Sequence, residues 1–231
     1  MDRTSPTYGG FAGGGVLTAQ RNRVLRNTYA LLALSLVPTV LGAWIGVTTG
    51  ILSGIGMGMS AMLFLGGAFG FIFAIEKTKH SAAGVGVLLG FTFFMGLMLS
   101  RILAAVLGFS NGASLIMMAF GGTAAVFFAM ASLATVVKRD LSNLSKFLFV
   151  GAILLLVVGI INIFVQSSAL MLTLSVAAIG IFSAFMLVDV KRVIDGGETN
   201  YISATLAIYL DIYNVFQSLL MLLGIFGGER D

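Results

Sequence analysis

Apolar residues fill seven continuous stretches of the chain, about 28–47, 51–75, 82–107, 114–137, 147–165, 169–188 and 201–226, with short polar connections between them. Each is close to or above the roughly 20 residues that carry a helix across a hydrocarbon core about 30 Å thick. A membrane barrel would show short alternating segments, so the pattern predicts helices and excludes strands. The expected fold is an all-α integral membrane protein of seven transmembrane helices, forming one domain over residues 28–231. Residues 1–15, with Pro6 and the run YGGFAGGG, hold too few apolar positions to pack, and residues 1–27 are expected to form a disordered cytoplasmic tail.

Composition narrows the picture further. The chain is 58% hydrophobic and 10% charged, where a soluble domain carries about 25% charged residues. The polar remainder is too small for a separate soluble domain. Arg21, Arg23 and Arg26 resemble the basic start of a signal peptide, but the span that follows is long and has no A-x-A cleavage site, so no cleavage is expected.

The basic residues are distributed unevenly. With the amino terminus inside, the cytoplasmic segments hold Arg3, Arg21, Arg23, Arg26, Lys77, Lys79, Lys138, Arg139, Lys146, Lys191 and Arg192, which is 11 of the 13 basic residues. The connections near Gly50, Asn111 and Gln166 carry none. The positive-inside rule then predicts a cytoplasmic amino terminus and a carboxyl terminus on the opposite side of the membrane. The basic isoelectric point reflects this topology and attraction to anionic headgroups, and nucleic acid is not an expected partner.

Glycines inside the spans recur with small-xxx-small spacing at Gly42 and Gly46, Gly66 and Gly70, and Gly86 and Gly90. In lipid this spacing lets helix backbones approach closely. Pro38 lies mid-span and is expected to kink the first helix. No repeat of fixed period suggests an inverted-repeat transporter.

Candidate chemistry is sparse. There is no cysteine, and the one histidine, His80, lies in the polar loop EKTKH, so a multi-histidine metal site is excluded. No nucleophile elbow, H-E-x-x-H helix or phosphate loop occurs. The 12 methionines are scattered over apolar segments and read as packing. Arg101, near the outer end of the third span, would either snorkel to the interface or pair with an internal acceptor lining a cavity.

Asp189 and Asp211 are the exception. A carboxylate in a membrane span costs roughly 2.5–3.5 kcal/mol on insertion scales, so it is seldom kept without a task or partner. With the sixth helix running to about Ile194 and the seventh starting near Asn200, the two lie roughly 8–10 Å and 16 Å from the turn. Helix tilt and side-chain reach can close that gap. The simpler arrangement pairs Asp189 with Lys191 or Arg192 and bonds Asp211 to a Tyr or Ser. If the two carboxylates meet in low dielectric, mutual repulsion makes them share a proton. Such a pair can hold a proton, bind a hard cation, or cleave a peptide with water.

The stretch KRVIDGGETNYISATLAIYLDIYNVFQSLLMLLG, with RVLRNTYALLALSL near the start and GGTAAVFFAMASL in the fourth span, resembles the Bax inhibitor family, most closely its bacterial YccA-type branch. The likeness runs from about Arg23 to the carboxyl end. It implies a central seventh helix surrounded by the other six, and a di-aspartyl latch at the positions of Asp189 and Asp211. In relatives with that latch the pair gates a proton-sensitive calcium leak, so transient Ca²⁺ at Asp189 and Asp211 is implied, with no resident cofactor. YccA-type members instead modulate the membrane-bound protease FtsH, and for them an accessible amino-terminal tail would be a docking strand. This chain keeps both aspartates, where the YccA pattern departs from the pair. The arginine that partners the latch in some relatives is absent; the corresponding AIEKTKH offers Lys77 or Lys79, with Arg192 as a further candidate. Intramembrane aspartyl proteases also carry two aspartates on consecutive late helices, but their G-x-G-D surroundings are missing and no enzymatic activity is expected.

Overall fold

The structure, a computed structural model, describes residues 12–229. Its elements are α1 (Ala12–Thr49), α2 (Met57–Thr78), α3 (Ala82–Leu107), α4 (Gly112–Val136), α5 (Ser142–Val165), α6 (Ser168–Ile194) and α7 (Tyr201–Gly227). Each contains a segment long and apolar enough to cross a membrane. Their outward faces are apolar as well: Trp44, Phe69, Phe73, Phe128, Phe147 and Phe164 are all exposed. Such a belt suits contact with lipid tails rather than water.

Two boundaries differ from the sequence expectation. Residues 12–27 were expected in the disordered tail but form the first turns of α1. The cause is local packing: Val24 is buried against Val193 and Ala204, with Leu25 and Tyr201 alongside, so this arginine-rich segment does have an apolar face to cover. Residues 1–11 lie outside the described residues. The second helix starts at Met57, later than the apolar run suggests. Gly50 takes a left-handed φ of +61° and turns the chain, and buried Leu52 then fixes the connection to the bundle. Pro38 lies inside α1, which stays helical through it.

The core gathers around α3 and α7. Leu88, Phe91 and Met95 of α3 and Ile202, Ile208, Tyr209 and Leu220 of α7 are almost wholly buried. Helix α7 packs against α1, α2, α3, α4 and α6, whereas α5 reaches the bundle chiefly through α6. The glycine pairs divide. A Cβ on Gly42 would lie 2.2 Å from the carbonyl oxygen of Phe93, and one on Gly96 would lie 2.0 Å from that of Thr39, so α1 and α3 touch backbone to backbone. Gly66, Gly70 and Gly86 face open space, and their spacing marks no close crossing.

Candidate functional site

The site forms where α6 ends and α7 begins. Lys191, buried in the last turn of α6, pairs with Asp195 at 2.8 Å. Gly196, at φ +80°, reverses the chain. Asn200 then caps α7, its Oδ1 accepting from the backbone N–H groups of Ile202 and Ser203. Such a cap satisfies donors a helix start leaves open. The Asn200 side-chain amide also donates to the backbone carbonyl of Lys79 at 2.8 Å, tying this turn to the end of α2.

On this frame Asp189 is five residues before the end of α6 and Asp211 ten residues into α7, about 8 and 15 Å along their helices. Their side chains face one another across the seam, close enough to interact. Asp211 is buried, at 4% exposure, and Asp189 is partly buried. When both are ionised there is no donor between them, and Oδ2 of Asp211 has no partner. A hydrogen bond between two carboxyls needs one of them to carry a proton, since an ionised carboxylate can only accept.

The simpler pairing does not occur. Lys191 is taken by Asp195. Arg192 and Glu198 exert opposing fields on Asp189 without bonding to it. The two tyrosines flanking Asp211 on α7 are engaged elsewhere. Tyr209 and Thr39 Oγ1 share a 2.8 Å hydrogen bond, and Tyr209 also donates to the carbonyl of Thr92. Tyr213 donates to the carbonyl of Met95. The helical period explains the division: Asp211 is two residues from each tyrosine, about 200° round the helix. Tyrosines therefore face α1 and α3 while the aspartate faces α6.

The other candidates lie apart from the pair. Lys79 bonds Glu76 on its own helix end, and Lys77 sits over the Phe73 ring at 5.4 Å. Arg101 donates from Nη1 to the Ile55 carbonyl at 2.8 Å and to Ser60 Oγ at 2.6 Å, so it bonds internal acceptors. Sequence reasoning missed Ser203 and Glu198. With Asp189, Arg192 and Ala207 they line a cavity of about 20 Å³ at the turn, roughly the room one water needs. Ser203 Oγ is buried there without a partner. The signal was available: Ser203 and Ala207 follow the same i, i+4 row of α7 that continues to Asp211.

Comparison with known proteins adds the lineage. A family model described as "Inhibitor of apoptosis-promoting Bax1" matches residues 21–228. An uncharacterized protein of Neisseria meningitidis is 38% identical over 216 residues, 92% of this chain and 95% of its own. The "Modulator of FtsH protease YccA" of Escherichia coli is 38% identical over 203 residues, 88% of this chain and 90% of its own. An "Uncharacterized membrane protein" of Vibrio cholerae is 37% identical over 209 residues, covering 90% and 92%.

Proposed function

The chain belongs to the Bax inhibitor family, and from that premise we propose that it is an inner-membrane cation leak controlled by Asp189 and Asp211. The observation that carries this reading is a pair of carboxyls meeting inside the bundle, with neither in a salt bridge among the described residues. A shared proton holds α6 against α7 and keeps the path shut. Loss of that proton replaces attraction by repulsion between two charges in low dielectric. The helices then part, and two carboxylates become available to a hard cation such as Ca²⁺. No catalytic step is assigned to them.

The sign of the pH response follows. Flux rises as the pH rises through the titration of the pair and falls when the pair is protonated. Cation flux into liposomes holding the purified protein, measured against pH, tests this. Asp189→Asn and Asp211→Asn should each flatten the profile, and a profile that survives both substitutions would sink the latch. The orientation in this reading puts the amino terminus in the cytoplasm and the carboxyl terminus in the periplasm. Reporter fusions that place both ends on one side would remove it.

A second reading is favoured by the identity to the Escherichia coli protein whose name makes it a modulator of FtsH. Here the chain binds that protease, needs no pore, and has no use for the proton on the aspartate pair. The two readings separate in one comparison. If Asp211→Asn changes ion flux but not turnover of an FtsH substrate, the leak stands; the opposite result supports the modulator. Deleting residues 1–15 should weaken control of FtsH and leave insertion intact if the amino-terminal segment is the docking strand.

A further inference from the structure

At the end of the bundle opposite the aspartate pair, Arg101 presents a fixed positive charge with no salt bridge among the described residues. The guanidinium has five N–H donors, and its bonds to Ile55 and Ser60 run from Nη1 alone. The sequence has no acidic residue between Asp2 and Glu76, nor between Glu76 and Asp140. Neither α1, α3, α4 nor the turn after α1 can therefore offer it a carboxylate. Glu229 is the acidic residue described on that face, and its backbone is tied to the α3–α4 turn through Ser110 and Asn111. Both salt bridges among the described residues, Lys79–Glu76 and Lys191–Asp195, belong to the other end.

Beside Arg101 is a cavity of about 140 Å³, walled by Val47, Leu52 and Ala104 with Gly46, Ser53 and Ser100. Ser53 and Ser100 spend their hydroxyl protons on the carbonyls of Gly50 and Leu97. The guanidinium is thus the charged donor of a largely apolar chamber. Six residues separate Arg101 from the last residue of α3, a depth of about 9 Å. A cation held at that depth is costly without an anion. The planar fork of arginine matches phosphate oxygens two at a time.

We propose that Arg101 and this cavity form a binding site for a phosphate group, carried by a phospholipid headgroup or by free phosphate. The apolar wall takes the stem of the ligand while Nε and Nη2 hold its oxygens. Nη1 stays on Ile55 and Ser60, so a bound phosphate would join the turn after α1, the start of α2 and the end of α3 through one side chain. This site is independent of the leak reading.

Thermal unfolding of the full chain in a neutral detergent tests the site, with short-chain phosphatidylglycerol, short-chain diacylglycerol or inorganic phosphate added. A saturable stabilisation by phosphatidylglycerol that diacylglycerol does not reproduce is expected. A matching response to inorganic phosphate assigns the site to the free anion, and its absence assigns it to the headgroup. Arg101→Gln should weaken binding roughly tenfold, the loss of a charge-assisted pair. That variant also drops the bonds to Ile55 and Ser60, so Ala104→Phe is the second arm. It fills the cavity, leaves those bonds in place, and should abolish the response while the unliganded melting temperature holds. No saturable response to either phosphate compound, or one that survives Ala104→Phe, would overturn the proposal.

Discussion

Between α1 and α3 two backbones touch, at Gly42 against Phe93 and at Gly96 against Thr39. Between α6 and α7 two carboxyls face each other, beside a cavity of water size. The first seam is held by dispersion over surfaces that admit no extra atom, and it has one arrangement. In the proposed latch the second depends on a single proton, and it would have two. A bundle that combines them would, under that proposal, move one side while the other keeps its shape. Close backbone packing and paired carboxyls in any case lie in different halves of the molecule.

The sharpest way to break this contrast is Gly96→Ala. The new methyl meets a backbone carbonyl, which cannot rotate away, so a loss of about 1–3 kcal/mol is expected in thermal unfolding. Gly70→Ala, which meets open space, should stay within about 0.5 kcal/mol of the parent. Equal losses at both positions would show that the α1–α3 contact is not what holds that half.

Tyr209→Phe comes next. It removes the bond to Thr39 across the rigid half and should cost about 0.5–1.5 kcal/mol. The flux profile against pH should keep its midpoint, because the tyrosine faces away from the carboxyls. A displaced midpoint would mean that the two halves communicate through α7.

Asp211→Asn should change stability less than either, within about 0.5 kcal/mol, since the amide keeps the shape and can donate to Asp189. A large loss of melting temperature would make the pair a structural fastener rather than a switch.

The smallest effect is expected at Asp140, outside both seams. Its carboxylate accepts from the backbone N–H and from the hydroxyl of Ser142, which holds its pKa below the ordinary 3.8. A group depressed on folding stabilises the protein above its unfolded pKa, and that contribution is lost as the pH falls through the folded value. Melting temperatures of the parent and Asp140→Asn should therefore converge in strong acid and differ slightly at neutral pH.

Much of this architecture is written in hydropathy. The third helix matches its apolar run at both ends, 82–107, and the seventh differs by one residue at Gly227. Hydropathy fails where burial and polarity part company. The first turns of α1 look too polar to pack because three arginines flank a single buried valine, Val24. The turn at 51–56 looks too apolar to be a turn because Leu52 plugs the bundle. The aspartates were legible as chemistry because a charge in an apolar run is conspicuous. The orphaned Ser203 was not, since a serine in a helix carries no such contrast. Nor did spacing alone distinguish Gly42, which meets a backbone, from Gly66, which meets nothing.

The bonds from Tyr209 and Tyr213 to Thr39, Thr92 and Met95 also bear on biosynthesis. Chains are made from the amino end, so α1 and α3 leave the ribosome well before the segment that bonds them. Their glycine contact needs no part of α7, whereas the Thr92 and Met95 carbonyls meet the tyrosine hydroxyls only once α7 is in place. Only the last helix to be translated brings the hydroxyls that occupy those positions. A nascent chain stopped before Tyr209 would lack every one of these hydroxyl bonds between the last helix and the α1–α3 pair.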